Sequence, residues 1–331
     1  MTTIYRDSDA DLGVLDGKVV AVVGYGNQGR SWALNVRDSG LDVHVFARAD
    51  ASRELAQKDG FEVGDIDEAG RADVLCLIVP DDAIPLLPIS PKPEALVIVA
   101  SGYAPAFEKF DPGCDVAMIA PRMLGPEVRS CYEQGVGFIT AIGVHVDRSG
   151  TALARTLAVA RALGGLKQGG IELTPHQEAV LDLAVEQGLS PALRHVNGTF
   201  VQVMLEHGIP LEAVLTELFL SGEIERTYRL LRLDGYAAQM AHHSPVSQYG
   251  QLSRANYYDH LDIATKMREI VANIADGGFA KEWDAEREGD HPTLHKLRAE
   301  ALPKELLDWE RELRQTLGEG AVSHTRAAEQ Q

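Results

Sequence analysis

The 331-residue chain has little cysteine, few positive charges relative to its acids, and no long apolar run. Its three cysteines are an odd number without CxxC spacing, which argues against a disulfide framework or a zinc knuckle. Lys and Arg total 31 against 49 Asp and Glu, and a net charge of −18 disfavours binding to nucleic acid or to an anionic membrane. No stretch reaches the roughly 20 apolar residues of a membrane helix, and the polar, acidic start does not resemble a signal peptide. We therefore expect a cytoplasmic globular protein with no nucleic-acid or membrane partner.

The most informative stretch runs from Lys18 to Ser39. The apolar residues Val19 to Val23 lead into a GxGxxG turn, Gly24-Tyr25-Gly26-Asn27-Gln28-Gly29, and apolar residues at helical spacing follow. A glycine turn between a strand and a helix is typical of dinucleotide binding, because the turn lets a pyrophosphate approach the backbone at a helix N-terminus. The alternative is a glycine-rich surface turn.

The first half of the chain alternates apolar strands with helical segments, which predicts an α/β fold with a doubly wound parallel (Rossmann) sheet. The predicted strands are Val19 to Val23, Asp42 to Ala47, Ala72 to Val79, Ala95 to Ala100, Asp115 to Ala120 and Gly137 to Val144. Ligands of such sheets lie at the carboxyl ends of the strands. The loops Pro80-Asp81, Ser101-Gly102 and Pro121-Arg122 should therefore face the cofactor.

The pattern becomes helical from Thr151 onward, so an all-helical domain should follow the sheet. Thr174 is a candidate N-cap with Pro175 at the first helical position. Further helices are predicted at about Ser190 to Glu206, Leu211 to Leu233 and Tyr258 to Ile274. We place the dinucleotide-binding domain at residues 1–168, the helical domain at 169–317 and a flexible tail at 318–331.

The residues that follow the second strand should determine whether the protein binds NADP or NAD, because an acidic residue there would bind the ribose hydroxyls of NAD. Ala47 stands near that place, and Arg48 and Ser52 offer groups that suit a 2′-phosphate. Asp50 argues the other way, because its carboxylate would repel that phosphate. The balance favours NADP, with NAD possible; alternatively, Asp50 and Arg53 only support the start of a helix.

Acidic residues recur on the helix that opens at Pro175. Glu178, Asp182 and Glu186 are spaced by four, so they would share one helix face. Two carboxylates one turn apart can hold a hard cation such as Mg²⁺. A solvated acidic face explains the same spacing.

Several motifs together resemble the short form of the ketol-acid reductoisomerase family. Five segments are similar to that family and occur in the same order. They are the chain opening Ile4 to Leu12, the glycine turn, the stretch Gly170 to Gln187, the loop Ser247-Gln248-Tyr249-Gly250, and the closing segment Met267 to Trp283. The resemblance covers most of the chain.

The resemblance implies a reaction that depends on NADPH and Mg²⁺, in which a 2-acetyl-2-hydroxy acid undergoes an alkyl shift and is then reduced. It also implies a homodimer or larger homo-oligomer with interlocked helical domains. Asp182 and Glu186 match metal ligands, Glu217 matches a ligand that also contacts substrate, and Ser244 matches a substrate-binding serine. With Arg122 and Ser101, Asp182 and Glu186 form the expected catalytic set. The expected cofactor-binding residues are Gly24, Tyr25, Gly26, Asn27, Gln28, Gly29, Arg48, Ser52, Pro80, Asp81, Ser101 and Gly102.

The sequence departs from the family at three positions. Ser101 stands where the family has a histidine, Arg122 where it has a lysine, and Ser221 where it has a second glutamate. Arginine keeps the charge but does not readily give up a proton. Two alternatives therefore stay open: a divergent member that only reduces a 2-keto acid or an imine, and a non-catalytic protein that senses the cofactor.

Overall fold

The computed structural model describes residues 1–107 and 110–301, together with 308, 311–313 and 315–316. The predicted tail at 318–331 lies outside the described residues. The structure divides into two compact units, Met1–Asp182 and a second one that begins at Leu183. Among the described residues, none of the helices combines the length and the hydropathy that crossing a bilayer requires.

The first unit is built on one sheet of nine strands in the order β1-β9-β8-β7-β6-β5-β2-β3-β4. Its strands are β1 Ile4–Tyr5, β2 Val19–Val23, β3 Asp42–Phe46, β4 Val63–Gly64, β5 Val74–Leu77, β6 Leu96–Val99, β7 Asp115–Pro121, β8 Ile139–Val146 and β9 Gly169–Glu172. The five central strands from β7 to β3 are parallel. This confirms the predicted Rossmann-type sheet.

Helices cover both faces of this sheet, and buried side chains form one apolar cluster on each face. Those of the first unit are α1 Asn27–Asp38, α2 Ala51–Lys58, α3 Tyr103–Ala106, α4 Gly125–Glu133, α5 Ala152–Leu163 and α6 Pro175–Ala184. The central strands are buried on both sides, which explains why they read as continuous apolar runs.

The strand predicted at Gly137 to Val144 lies at Ile139–Val146 and is antiparallel to β7, so the parallel direction expected of this one strand is wrong. An apolar run predicts a strand but not its direction. Between α4 and β8, Gly135 and Gly137 have φ values of +71° and +64°. This left-handed backbone reverses the chain, and β8 begins beside the carboxyl end of β7, where the Arg122 N–H donates to the Ile139 carbonyl.

The outer strands β1, β4 and β9 were not predicted. Two of them, β1 and β4, are only two residues long. Such strands are formed by pairing with a neighbour and carry too few residues for a recognisable alternation.

The described part of the second unit is helical, as expected. It contains α7 Ser190–Glu206, α8 Leu211–Leu215, α9 Glu223–Asp234, α10 Tyr236–Met240, α11 Pro245–Ser253, α12 Ile263–Ala275, α13 Gly278–Glu288 and α14 Pro292–Ala301, with π-helical turns at Val185–Leu189 and Thr216–Leu220. The prediction of a single helix from Leu211 to Leu233 is wrong. Gly222 adopts a φ of +74° and separates the second π-helical turn from α9. The helix predicted from Tyr258 begins only at Ile263, where the Asp262 carboxylate caps it by accepting from the Thr265 N–H.

Candidate active site

Three loops meet at the carboxyl edge of the central strands in the first unit. Asp81 follows β5, Ser101 follows β6, and Arg122 follows β7. The register of these parallel strands pairs the last residues of β5 and β6, Leu77 and Val99, and places Val99 opposite Met118, three residues before the end of β7. The predicted arrangement of loops is therefore present at one edge of the sheet.

Glu178 on α6 joins two of these loops. Its carboxyl group is buried, with only 1% of the side chain exposed. One oxygen accepts from the Gly102 N–H at 2.6 Å, and the other pairs with the Arg122 guanidinium. Burial raises the pKa of Glu178, while the Gly102 amide and Arg122 offset part of that rise. We call Glu178, Gly102 and Arg122 the Glu178 clamp, because they fix the loops after β6 and β7 to α6.

Asp182 lies one turn further along α6 and has a different environment. Its side chain is 54% exposed, and its Oδ1 lies 3.8 Å from Nη1 of Arg122. This separation allows an ion pair but is too long for a hydrogen bond. Asp182 therefore keeps lone pairs available to a ligand, whereas both oxygens of Glu178 are engaged.

Asp81 lies in the 3₁₀ turn Asp81–Leu86 and is partly buried beside the Glu178 clamp. Burial raises the pKa of Asp81 to about 6, an interaction with the Ser101 side chain opposes that rise, and the carboxylates of Glu178, Asp82 and Asp182 add to it. The Ser101 Oγ also accepts from the Tyr103 N–H at 3.1 Å.

The glycine turn has the geometry that a bound pyrophosphate needs. A Cβ on Gly29 would lie 2.1 Å from the Gly24 carbonyl oxygen, and one on Gly24, whose φ is +95°, would lie 2.3 Å from that of Ile78. A Cβ on Gly26 would meet nothing within 4 Å. Gly26 is also the N-cap of α1 and provides no side chain to its first turn. Gly24 and Gly29 thus serve close packing, while Gly26 leaves helix amides open to phosphate.

The loop after β3 is organised by Asp50, which caps α2. Its carboxylate accepts from the Ser52 N–H at 3.0 Å and from the Ser52 hydroxyl, and these bonds lower the pKa of Asp50. Nε of Arg48 lies 3.6 Å from the same carboxylate, with 83% of the Arg48 side chain exposed. Both groups predicted to bind a 2′-phosphate therefore contact an acid.

Arg53 has a structural role, as the alternative in the sequence analysis proposed. It donates to the carbonyl oxygens of Ala47 and Gly64 at 2.8 and 3.0 Å and pairs with Asp65. These contacts connect the start of α2 to β4. Arg48 is left as the exposed cation of this loop.

Three further predicted residues lie in the second unit, where Glu186 and Glu217 fall in the two π-helical turns and Ser244 caps α11. Thr174 and Gln177 form a reciprocal cap at the start of α6, with bonds of 2.9 and 3.1 Å, which confirms the predicted N-cap. The roles of Glu186, Glu217 and Ser244 stay predictions.

Sequence reasoning noticed Glu178 only as part of an acidic spacing and gave it no role. The available signal was its position one turn before Asp182, near the start of a helix. That spacing does not distinguish a buried carboxylate with two partners from a solvated one.

A GxGxxG turn at the edge of a Rossmann sheet, with polar side chains from three neighbouring loops, is typical of NAD(P)-dependent oxidoreductases. Comparisons with known proteins agree with this class. Residues 14–169 match the family model described as "Acetohydroxy acid isomeroreductase, NADPH-binding domain", and residues 176–319 match "Ketol-acid reductoisomerase, C-terminal domain".

Relatives of known name match nearly the whole chain. The ketol-acid reductoisomerase (NADP(+)) of Caldivirga maquilingensis is 39% identical over 90% of this chain and 93% of its own length. The ketol-acid reductoisomerase (NAD(P)(+)) of Metallosphaera sedula is 34% identical over 88% and 90%. A solved structure of an NADH-preferring ketol-acid reductoisomerase from an uncultured archaeon aligns with a TM-score of 0.87, at 29% identity, over 95% of this chain and 98% of that one. The chain belongs to the ketol-acid reductoisomerase family.

The two glycine roles can be separated by one pair of substitutions. Gly29→Ala should lower the free energy of unfolding by about 1–3 kcal/mol, because its methyl group would collide with the backbone. Gly26→Ala should leave the unfolding midpoint unchanged, because its φ of −80° suits alanine and the space is open. It should nevertheless weaken dinucleotide binding by at least about tenfold. Thermal unfolding and cofactor fluorescence titration measure both; unchanged binding by Gly26→Ala would place the phosphates elsewhere.

Cofactor preference should depend on the opposed charges of Asp50 and Arg48. Asp50→Asn should tighten NADPH binding relative to NADH, and Arg48→Ala should weaken it, each by about two- to fivefold as for other exposed charges. Arg71→Ala is the matched control, because Arg71 is 84% exposed and also faces an acid, Glu68, but lies in another turn. Equal changes for both dinucleotides in titrations would show that neither residue contacts the 2′-position.

Proposed function

We propose that this protein catalyses the two-step ketol-acid reductoisomerase reaction, an alkyl shift in a 2-acetyl-2-hydroxy acid followed by reduction with NAD(P)H. The observation that supports it best is the cluster of Arg122, Glu178 and Asp182 at the sheet edge where the cofactor loops end. A small acid with adjacent hydroxyl, carbonyl and carboxylate oxygens needs a fixed cation and an oxygen-ligated metal to hold it.

Arg122 would bind substrate oxygens as a fixed positive charge. The Glu178 clamp holds its guanidinium in place, and the group has donors beyond those that face Glu178 and Asp182. A planar guanidinium suits two oxygens of one substrate, while its proton is not available for transfer. This favours a role in orientation.

Asp182 would hold Mg²⁺, with Glu186 and Glu217 as the further predicted ligands. Its half-exposed carboxylate and loose contact with Arg122 fit a metal ligand, whereas the buried, fully bonded Glu178 does not. Within the described part of the chain, no three His, Cys, Asp or Glu side chains are grouped to hold a metal. When bound, Mg²⁺ would polarise the oxygens between which charge moves during the shift.

We also propose a homodimer or larger homo-oligomer. The second-unit helix α7 has no buried residue over its 17 positions. Leu193, Val196, Phe200 and Val203 follow one another at helical spacing and are 41, 58, 41 and 38% exposed. A long helix is stable in water only when an apolar face is covered. A second copy of the chain is the occupant that the family resemblance favours.

Substitution of Asp182 tests the metal and the shift. Asp182→Asn should abolish NAD(P)H consumption with 2-acetolactate and Mg²⁺, because a neutral amide holds the cation far more weakly. Dinucleotide affinity should stay unchanged, and the exposed Asp16→Asn serves as the control.

Substrate choice separates the proposal from its alternatives. Turnover of 3-hydroxy-3-methyl-2-oxobutyrate, the isomerised compound, without turnover of 2-acetolactate would identify a reductase that has lost the shift. Tight dinucleotide binding with no consumption on either compound would identify a sensor.

Charge on α7 tests the oligomer. Phe200→Lys should shift the protein toward monomer in sedimentation velocity, because it places a charge on the apolar face. Gln202→Lys adds the same charge on the other side of the helix and should leave the assembly intact. A wild-type protein that sediments as a monomer would contradict the proposal.

A further inference from the structure

We propose that Gln28, Ser31 and Asn35 position the substrate relative to the cofactor, because they fix the loop that carries Arg122 to the phosphate-binding end of α1. This inference rests on the proposed function and deepens it. The three side chains act through the main chain around Arg122, so they are positioning residues. We call them the polar stripe of α1.

The polar stripe lies on one face of α1, because its members are spaced by three and four residues. Nε2 of Gln28 donates to the carbonyl oxygen of Met123 at 3.0 Å. Oγ of Ser31 donates to the carbonyl oxygen of Gly125 at 2.7 Å, and Ser31 is only 4% exposed. Met123 directly follows Arg122, and Gly125 begins α4. Two side chains of α1 therefore hold the main chain that follows Arg122.

Asn35 continues the stripe one turn further along α1 and is fully buried. Its Nδ2 donates to the carbonyl oxygens of Val128 on α4 and Leu163 on α5, at 3.3 and 3.1 Å. Its Oδ1 accepts from Nη1 of Arg129 at 2.8 Å. Apolar packing has no preferred direction, whereas hydrogen bonds to main-chain carbonyls do. The stripe therefore sets how far along α1 the start of α4 lies.

The first turns of α1 and α4 are also in direct contact. A Cβ on Gly125 would lie 2.3 Å from the carbonyl carbon of Asn27 and 2.6 Å from the nitrogen of Gln28. Asn27 and Gln28 begin α1, at the end whose amides are open to phosphate. No other residue type fits at position 125 without moving one of the two helices. A displacement of the phosphate-binding end would therefore move the main chain that follows Arg122.

Arg122 is consequently held from two sides. The Glu178 clamp fixes its guanidinium to α6, which also carries Asp182, and the polar stripe fixes its main chain to α1. The cation that would hold the substrate and the amides that would hold the cofactor phosphates thus belong to one connected framework. Reduction requires the reacting atoms to lie about 3–3.5 Å apart, so a shift of about 1 Å slows the reaction even when both ligands are bound.

The test is reduction of 3-hydroxy-3-methyl-2-oxobutyrate by the full-length protein with saturating NADPH and Mg²⁺. Ser31→Ala and Gln28→Met should each lower kcat by about 10- to 100-fold, because Arg122 loses its fixed distance from the cofactor. KM and the Kd of NADPH should change by less than about threefold. Arg122 keeps its contact with Glu178, and the amides of α1 are unchanged.

Three comparisons separate positioning from stability. Ser39→Ala makes the same change at the other end of α1, where Oγ of Ser39 donates to the carbonyl oxygen of Ala162 on α5 at 2.7 Å, and it should keep kcat. Ser31→Thr retains the hydroxyl but adds a buried methyl group, so it should lower the unfolding midpoint and yet keep most of kcat. Gln28→Met should leave the midpoint unchanged, because its lost bond is offset by removal of Oε1, a buried acceptor with no partner among the residues that the structure describes.

Hydrogen exchange followed by mass spectrometry gives a readout that needs no reaction. In the wild type, NADPH should slow amide exchange about fivefold or more in α1 and also in α4, because the polar stripe connects the two helices. In the double variant Gln28→Met/Ser31→Ala, the slowing should persist in α1 and be absent from α4.

Unchanged kcat in the double variant overturns this inference, as does an equal loss of kcat in Ser39→Ala. Slowed exchange of α4 that survives in the double variant overturns it too. A large rise in the Kd of NADPH without a loss of kcat would make the stripe part of the cofactor site instead. A folded wild type that binds NADPH but reduces neither compound overturns the proposed function and substrate positioning with it. The exchange measurement then still decides whether α1 and α4 are coupled, because it requires only the dinucleotide.

Discussion

The contact between Glu178 and two separate loops is the constraint on which the active-site edge depends. A buried carboxylate is costly unless its lone pairs are satisfied, and here the Gly102 amide and the Arg122 guanidinium satisfy them. Because the three partners come from α6 and from the ends of β6 and β7, one ionised group fixes the relative position of three elements. Ser101, Asp81 and Asp182 lie around the Glu178 carboxylate.

This constraint also explains how the chain accommodates arginine at position 122. Lysine would be a point charge on a flexible stem, whereas arginine offers a planar group that can face Glu178 and Asp182 together. The charge at the sheet edge is thereby retained, but a transferable proton is lost.

At the glycine turn and the loop after β3, backbone geometry and side-chain charge belong to different residues. Gly24 and Gly29 are required because a side chain at either would meet a carbonyl oxygen, while Gly26 leaves open space. The loop after β3 instead sets an acid, Asp50, beside the two groups that suit a 2′-phosphate. The residues expected to bind the dinucleotide core and those expected to choose between its forms are therefore different.

The sequence by itself determined the Rossmann sheet, the helical second half, the glycine turn and the loops that carry Asp81, Ser101 and Arg122, because strand periodicity, helix caps and GxGxxG are local signals. Only the tertiary structure decided the direction of β8, the break at Gly222, the structural use of Arg53 and the burial of Glu178. The burial of Glu178, for example, depends on a partner far away in the chain, Gly102, which is 76 residues distant. Whether a carboxylate is buried and hydrogen-bonded or solvated depends on the residues that pack around it. The spacing of acidic residues along the chain does not show which of the two applies.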